Sequence, residues 1–172
     1  MSAGIYVGID PGLSGAVARL QVADDGTETL TVHATPVVWS QVGERKRRVY
    51  DVGAMYALLV HPMTLVVLER QQAMPAKLHN RAQGTTSSFA TGLGYGLWLG
   101  LLTARCVPFM VVQPQRWRRL TGLSGADKAA IRLTVCRRFP GVPVRLDHAD
   151  AVMMAVSAAL DSRAVADALA LA

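Results

Sequence analysis

Four acidic residues stand at positions where carboxylates could hold a divalent metal ion. Asp10 follows the apolar run GIYVGI and precedes a Pro-Gly turn, and Glu69 ends a second apolar run, TLVVLE. Asp147 and Asp150 form a D-x-x-D pair just ahead of the apolar stretch AVMMAVSAAL. Mg²⁺ prefers oxygen ligands and is usually held by a few carboxylates together with water and phosphate oxygens. These four acids therefore predict metal-assisted chemistry at a phosphate group.

The order of the predicted elements decides whether these acids can meet. The predicted strands cover residues 5–10, 15–22, 29–38, 64–69 and 107–112. The predicted helices cover residues 52–59, 87–105, 126–139 and 147–160, with a short turn or helix opening at Pro114. Residues 40–48 are polar and residues 70–83 are predicted to be a loop. This order predicts an α/β fold with a five-stranded mixed sheet, its first three strands antiparallel, flanked by helices.

The acids can share one site only if the fold gathers them. Asp10 and Glu69 both fall at the carboxyl ends of predicted strands, and adjacent parallel strands place such ends side by side. Asp147 and Asp150 are three residues apart, so on a helix they would share a face. Each acid taken singly is more typical of a cap or turn. Their common position at the ends of apolar runs favours a site.

Length and composition are typical of one folded domain. The chain has 172 residues, of which 51% are hydrophobic. We expect a single domain over residues 1–172, with residues 161–172 as a helical tail. The apolar stretch at residues 93–104 is shorter than the roughly 20 residues of a membrane-spanning helix, and no secretory signal is visible. Without CxxC spacing, Cys106 and Cys136 are expected to be unpaired, buried thiols of a cytoplasmic protein.

Several groups of basic residues indicate a polyanionic partner. The formal net charge is +6 and the isoelectric point is about 9.9. Arg45, Lys46, Arg47 and Arg48 form a continuous basic run, which is either a solvated loop or an arm that contacts a DNA backbone. Arg116, Arg118 and Arg119 surround Trp117, whose ring could either stack on a base or pack half-buried.

The chain resembles the RuvC family of Holliday junction resolvases, in the RNase H-like (retroviral integrase) superfamily. The resemblance covers roughly residues 4–160 and rests on four segments in order: GIDPGLSGAVA, VVLERQ, TGLSGADKAAI and LDHADAVMMA. It implies that Asp10, Glu69, Asp147 and Asp150 are catalytic metal ligands and that Lys128 approaches a DNA phosphate. It also implies two Mg²⁺ ions, for which Mn²⁺ could substitute, with Asp10 bridging them. The implied activity is paired symmetric nicking of four-way junctions by a homodimer, leaving 5′-phosphate and 3′-hydroxyl ends.

The sequence departs from the family pattern in two places, and one further residue within its motifs has an open role. Bacterial members carry an aromatic residue shortly after the glutamate, whereas here the loop ERQQAMPAKLHN has none and Gln72 or Met74 stands near that place. Where the family has a second lysine, upstream of the Lys128 segment, this sequence has Trp117. His148, inside the D-x-x-D, is either a group that assists the site or a solvent-facing residue at a helix start. These departures favour a divergent, phage-like member, placed in the nucleoid or in the cytoplasm of an infected host.

Other functions stay open at this point. One is an endonuclease of broader branched DNA such as forks, flaps and three-way junctions. Another is a non-catalytic module that binds branched DNA. A third is an actin-like or sugar-kinase ATPase, because GIDPG is similar to the phosphate-gripping hairpin of that superfamily. Those ATPases need two such domains around a nucleotide, and 172 residues leave room for one.

Overall fold

A five-stranded mixed sheet forms the centre of the protein. The computed structural model describes residues 3–42, 44–59, 62–71 and 85–170. The strands are β1 (Gly4–Ile9), β2 (Ala16–Val22), β3 (Glu28–Ala34), β4 (Val37–Val42), β5 (Arg45–Tyr50), β6 (Leu65–Glu69) and β7 (Phe109–Val112). The helices are α1 (Val52–Leu58), α2 (Thr85–Ala104), α3 (Pro114–Leu120), α4 (Lys128–Arg138) and α5 (Ala149–Ala170), with a 3₁₀ turn at Leu146–His148.

The sheet has the predicted mixture of antiparallel and parallel strands. Its order is β3-β2-β1-β6-β7, with β1, β2 and β3 antiparallel and β1, β6 and β7 parallel. The α/β class and the antiparallel first three strands are therefore confirmed. Ile9 of β1 lies opposite Leu68 of β6, so both strands end at the same edge of the sheet. Asp10 and Glu69 come directly after this matched pair.

The region after β3 differs from the prediction. The third strand was expected to continue to residue 38, but it ends at Ala34, and β4 pairs with β5 in a separate two-stranded sheet. Pro36, which lacks an N–H for a strand ladder, stands at the break. Residues 40–48, for which only a polar segment was predicted, are therefore mostly strand. Their alternation is hidden in the sequence because both faces of the hairpin carry charged side chains outside the core.

Helices cover both faces of the sheet and create two apolar cores. Tyr6 points to the face that packs against α5, while Val7 and Ile9 point to the face covered by α2. Gly8 lies beneath α5 so closely that a Cβ there would overlap the Ala151 carbonyl oxygen and the Ala155 amide nitrogen. Helix α5 can therefore rest directly on β1, which brings its first turn to the edge that carries Asp10.

Helix α2 buries one side and exposes the other. Trp98 and Leu102 are fully buried, and Gly94 lies tightly against Tyr50 and Pro11. Phe89 and Leu93, one helical turn apart, are exposed. Within the part of the chain that the structure describes, no helix is both long and apolar enough to cross a membrane.

The cysteine prediction holds in part. Cys106 and Cys136 are both unpaired thiols. Cys106, however, is exposed and Cys136 is half-buried, so the expectation of two buried thiols is wrong. Cys106 follows the carboxyl end of α2 in a turn with a positive φ of 52°, a conformation that turns the chain away from the helix and toward β7.

Candidate metal centre

Asp10 lies in a turn held by its own backbone contacts. Its amide donates to the Ala16 carbonyl at 3.0 Å, and its Oδ1 accepts a hydrogen bond from the Gly12 amide at 3.3 Å. A Cβ on Gly15 would overlap the Asp10 carbonyl, so only glycine lets the chain return this closely. Burial raises the pKa of the Asp10 carboxyl, the Gly12 amide lowers it, and the neighbouring Asp150 raises it further.

Glu69 is held at both of its carboxylate oxygens. The indole nitrogen of Trp117 donates to Oε1 at 3.0 Å, and Nε2 of Gln71 donates to Oε2 at 3.1 Å. Burial raises the pKa of Glu69 to about 7, with further increases from Asp10 and Asp150 and opposing effects from the two hydrogen bonds. A carboxyl with such a pKa is half-charged near neutral pH and gains from a nearby cation.

Asp147 and Asp150 approach from the helical side. Asp147 lies in the 3₁₀ turn and Asp150 in the first turn of α5, not on one regular helix as predicted. Burial raises the pKa of Asp150, whereas the positive charges of Lys128 and Arg118 lower it. Nζ of Lys128 lies 3.7 Å from Oδ1 of Asp147. Lys128 also acts electrostatically on Asp10, so the predicted lysine stands among the predicted acids.

The four carboxylates interact with one another across the sheet edge. The negative charges of Asp10 and Asp150 act on Glu69, those of Asp150 and Asp147 act on Asp10, and that of Asp147 acts on Asp150. Among the described residues, however, no three acidic, histidine or cysteine side chains are already arranged to hold one metal ion. Glu69 and Asp147 are turned toward Trp117, Gln71 and Lys128. The fold thus gathers the acids, and closure around an ion requires their side chains to rotate.

Trp117 has a different position from the one expected of a base-stacking residue. Its ring is fully buried, so of the two alternatives for Trp117 the stacking on a base is wrong, and the ring packs even more deeply than the half-buried alternative. The reason lies in the sheet: Val112 of β7 pairs with Glu69 of β6, and α3 begins two residues later, which carries Trp117 inward to Glu69. The sequence analysis missed this role of Trp117. A usable signal exists, because Trp117 closely follows a strand that lies next to the strand ending in Glu69.

The arginines around Trp117 divide into different environments. Arg116 forms an ion pair with Asp161 of α5 at 2.8 Å. Arg118 stacks over the Trp117 ring at 5.2 Å from its centroid and acts on Asp150, so it belongs to the site. Arg119 is exposed. The proposed DNA contacts of Arg116, Arg118 and Arg119 stay predictions.

The basic run lies on β5 of the hairpin. Arg45, Lys46, Arg47 and Arg48 are all exposed. Nη2 of Arg48 donates to Oγ of Ser14 at 3.4 Å, in the turn that follows Asp10. The interpretation as a loop is replaced by a strand, while a contact with DNA stays a prediction. Gln72 and Met74 lie outside the described residues.

His148 is buried, so the alternative in which it faces solvent is wrong, and its assistance to the site stays a prediction. Burial lowers the pKa of its imidazole, and Arg145 lowers it further, while Asp147 raises it. It is therefore held neutral near physiological pH. Its backbone amide donates to Arg145 at 3.1 Å, closing the 3₁₀ turn that presents Asp147.

Comparison with solved structures shows where this arrangement of strands and helices has been seen. The Thermus thermophilus RuvC structure matches with a TM-score of 0.58 and 20% sequence identity, over 93% of this chain and 96% of that chain. The chain has a RuvC-like fold. T. thermophilus RuvC in complex with Holliday junction substrate matches with a TM-score of 0.57 and 18% identity over the same shares. No protein-family model matches the sequence, and no curated protein sequence does either.

The RuvC-like fold agrees with the local geometry. Two parallel strand ends supply Asp10 and Glu69, and the start of α5 supplies Asp150 at the same edge. Tyr50 is a residue beside this candidate site that the sequence did not reveal. Its hydroxyl donates to the Pro11 carbonyl at 3.2 Å and thereby ties the hairpin to the Asp10 turn.

Proposed function

We propose that the protein is a metal-dependent endonuclease that resolves four-way DNA junctions by paired symmetric nicks. The observation that carries this proposal is the meeting of Asp10, Glu69 and Asp150, from three separate elements, at one edge of a RuvC-like sheet. Three of the four acids have a raised pKa, for which burial is the first cause and the other acids a further one. Such a cluster is unfavourable unless a cation offsets its charge.

The donor set suits Mg²⁺, with Mn²⁺ as a substitute. All four side chains offer hard oxygen donors, and the described cluster contains no thiol that would favour a softer metal. Asp10, Glu69, Asp147 and Asp150 would hold two ions between them, with Asp10 shared. Bound there, the ions would act as Lewis acids on a phosphate and lower the pKa of water.

The remaining residues of the site have separable tasks in this proposal. Lys128, whose side chain is 57% exposed, can turn from Asp147 to a phosphate oxygen. The positive charge of Arg118 also offsets the charge of Asp150. Trp117 and Gln71 hold the Glu69 carboxylate in one orientation without neutralising it. Hydrolysis then leaves a 5′-phosphate and a 3′-hydroxyl.

Paired nicks require two copies of the site, so we include a homodimer in the proposal. Most soluble oligomers are twofold dimers. The exposed side of α2 offers an apolar surface, with Phe89 72% and Leu93 45% exposed. Gly92 and Gly96 of the same helix have open space where a side chain would be, which permits close approach of a second helix.

A cleavage assay tests the proposal. Labelled four-way, three-way, flap and linear DNA are incubated with the protein in Mg²⁺, in Mn²⁺ and with a chelator. We expect symmetric cleavage of the four-way junction only with metal, and none by Asp10→Asn. Asp25→Asn, which removes an exposed carboxylate from the β2–β3 turn, is the control that keeps activity.

The other outcomes assign a different function. Equal cleavage of forks, flaps and junctions would replace junction resolution by a broader branched-DNA endonuclease. Binding of junctions without cleavage in either metal would indicate a non-catalytic module. Cleavage by Asp10→Asn at the wild-type rate would exclude this metal centre.

A further inference from the structure

The β4–β5 hairpin has one face that leads to the metal centre. Residues directly opposite each other in an antiparallel pair project to the same side. The pairs Val37–Tyr50, Trp39–Arg48 and Gln41–Lys46 alternate with the pairs Val38–Val49 and Ser40–Arg47. We call the first set the inner face: Val37, Trp39, Gln41, Lys46, Arg48 and Tyr50.

Hydrogen bonds fix the direction of the inner face. Tyr50 donates through its hydroxyl to Pro11, the residue after Asp10, and also contacts the Ala90 carbonyl of α2. One pair further out, Arg48 donates to Ser14 in the same turn. The inner face therefore starts at the turn that holds Asp10 and runs outward from it, with Trp39 beside Arg48.

Trp39 lies on this face with most of its ring in solvent. The residue is 69% exposed, whereas the chain's other two tryptophans, Trp98 and Trp117, are fully buried. Trp39 and Lys46 line an open cleft of about 490 Å³ together with Ser40 and Gln41. An exposed indole costs solvation free energy unless a partner covers it.

The positive charge around Trp39 indicates what kind of partner covers its ring. Four consecutive basic residues follow on β5, and Glu44 is the one acid between residues 37 and 50. A flat aromatic ring flanked by cations is the arrangement that holds an unpaired nucleotide, because the ring stacks on the base and the cations bind its phosphates. A protein partner with an apolar patch would not use the basic strand.

We propose that Trp39 is a base-stacking residue that takes an unpaired nucleobase at the branch point of the DNA substrate. Lys46 and Arg48 contact the phosphates on either side of that nucleotide. The inner face thus holds the strand that enters the metal centre and contributes to the preference for branched over linear DNA. This inference rests on the proposed function, since it names how the same site selects its substrate.

Tryptophan fluorescence tests the contact directly. Because Trp98 and Trp117 are buried, acrylamide quenching of the protein's emission reports on Trp39. Asp10→Asn protein is titrated with a four-way junction carrying unpaired 2-aminopurine at the branch point. We expect protection of the tryptophan from acrylamide and quenching of the 2-aminopurine. Unchanged acrylamide access on saturation with the junction would overturn the inference.

Substitutions then measure the contribution to binding. Trp39→Ala should weaken junction binding by roughly 5- to 150-fold, the range for one lost stacking contact, and change linear duplex binding less than about twofold. Trp39→Phe, which keeps a stacking ring, should recover most of the affinity. Equal junction affinity for Trp39→Ala and wild type would remove Trp39 from recognition.

Matched controls separate stacking from general charge and from folding. Val38→Ala truncates an exposed side chain on the opposite face of the same strand and should bind as wild type. Lys46→Ala on the inner face should weaken junction binding more than Arg47→Ala on the other face, although both remove one charge. Equal losses would mean that charge alone is sensed, which contradicts the inference.

The failure of this inference differs from that of the proposed function. If wild-type protein does not cut the junction, the proposed function fails whatever Trp39 does. If wild type cuts and Trp39→Ala binds and cuts equally well, only the stacking role fails. Loss of self-association in Trp39→Ala, by sedimentation, would make the face a contact between copies and overturn the stacking role.

Discussion

The indole nitrogen of Trp117 donates a hydrogen bond to the Glu69 carboxylate at 3.0 Å, from a ring that solvent does not reach. A neutral donor orients the carboxylate but leaves its charge in place. The hydrogen bond lowers the pKa of Glu69, while burial, the larger effect, raises it to about 7. Glu69 is thus poised to lose its proton when a cation arrives near neutral pH.

Removing this donor should move the pH dependence of cleavage. In Trp117→Phe the pKa of Glu69 is expected to rise further, because the lost hydrogen bond to the charged carboxylate contributes roughly 1.5–3 kcal/mol. The acidic limb of the pH–rate profile then shifts to higher pH, and the rate recovers at alkaline pH. Trp98→Phe is the control, since Nε1 of Trp98 is buried with no hydrogen-bond partner among the described residues. A loss of rate equal at every pH would indicate packing damage instead.

Stability should fall with rising pH when metal is absent. The folded-state pKa of Glu69 is raised from 4.5 to about 7, so between those values the folded chain binds a proton that the unfolded chain has released. The free energy of unfolding therefore decreases across pH 4.5–7, on the order of 3 kcal/mol from Glu69 alone. Raised pKa values at Asp10 and Asp150 act in the same direction.

Urea denaturation at pH 5 and pH 8 measures this effect. Glu69→Gln should lose much of the difference, and Mg²⁺ should stabilise the wild type more at pH 8 than at pH 5. A wild type that is more stable at pH 8 without metal would show that other groups outweigh the carboxylate cluster.

Lys128 should affect turnover more than affinity. In Lys128→Ala we expect kcat to fall by roughly 10²-fold or more, the loss typical of one electrostatic group at the reacting centre, with a change in junction Kd of a few-fold. Arg137→Ala removes an exposed charge from the far end of α4 and should leave both values near wild type. Single-turnover cleavage measures the rate of the chemical step, and junction binding in the presence of a chelator measures Kd without cleavage. A Kd loss as large as the kcat loss would make Lys128 a binding residue.

Gly8 should tolerate no larger residue. Gly8→Ala would drive a Cβ into the backbone of α5, and such overpacking costs about 1–3 kcal/mol or more. Because α5 carries Asp150, metal binding should weaken along with stability. Gly53→Ala, inside α1 with only an ordinary contact to Asp51, should be neutral or stabilising by up to about 1 kcal/mol. Thermal denaturation compares the two, and a stable Gly8→Ala protein would contradict the close packing of α5 on β1.

The apolar side of α2 should mediate self-association. Phe89→Asp with Leu93→Asp places charge on the exposed face without entering the core. We expect a monomer by sedimentation that binds junctions but makes single, unpaired nicks. Thr103→Asp, on the exposed side near the end of the same helix, is the charge control. A wild-type protein that sediments as a monomer at all concentrations would exclude the dimer.

Local patterns were enough to predict most of the elements and to single out the acids that the fold brings to one edge of the sheet. Apolar runs ended at Asp10 and Glu69, and helix α1, expected over residues 52–59, occupies Val52–Leu58. These features depend on neighbouring residues alone, through side-chain periodicity and capping. The parallel pairing that sets Ile9 opposite Leu68 followed from the order of strands and helices.

Long-range packing decided what local patterns could not. The basic segment became a strand only because β4 pairs with it, and its charges conceal the alternation that would have predicted it. Trp117 became buried because β7 ends beside Glu69, and His148 because the 3₁₀ turn packs against the sheet. The hairpin face that carries Trp39 is directed to the metal centre by the hydrogen bond between Tyr50 and Pro11, which are 39 residues apart. Contacts between distant parts of the chain have no local signature, so burial and partner choice at these residues appear only in the folded protein.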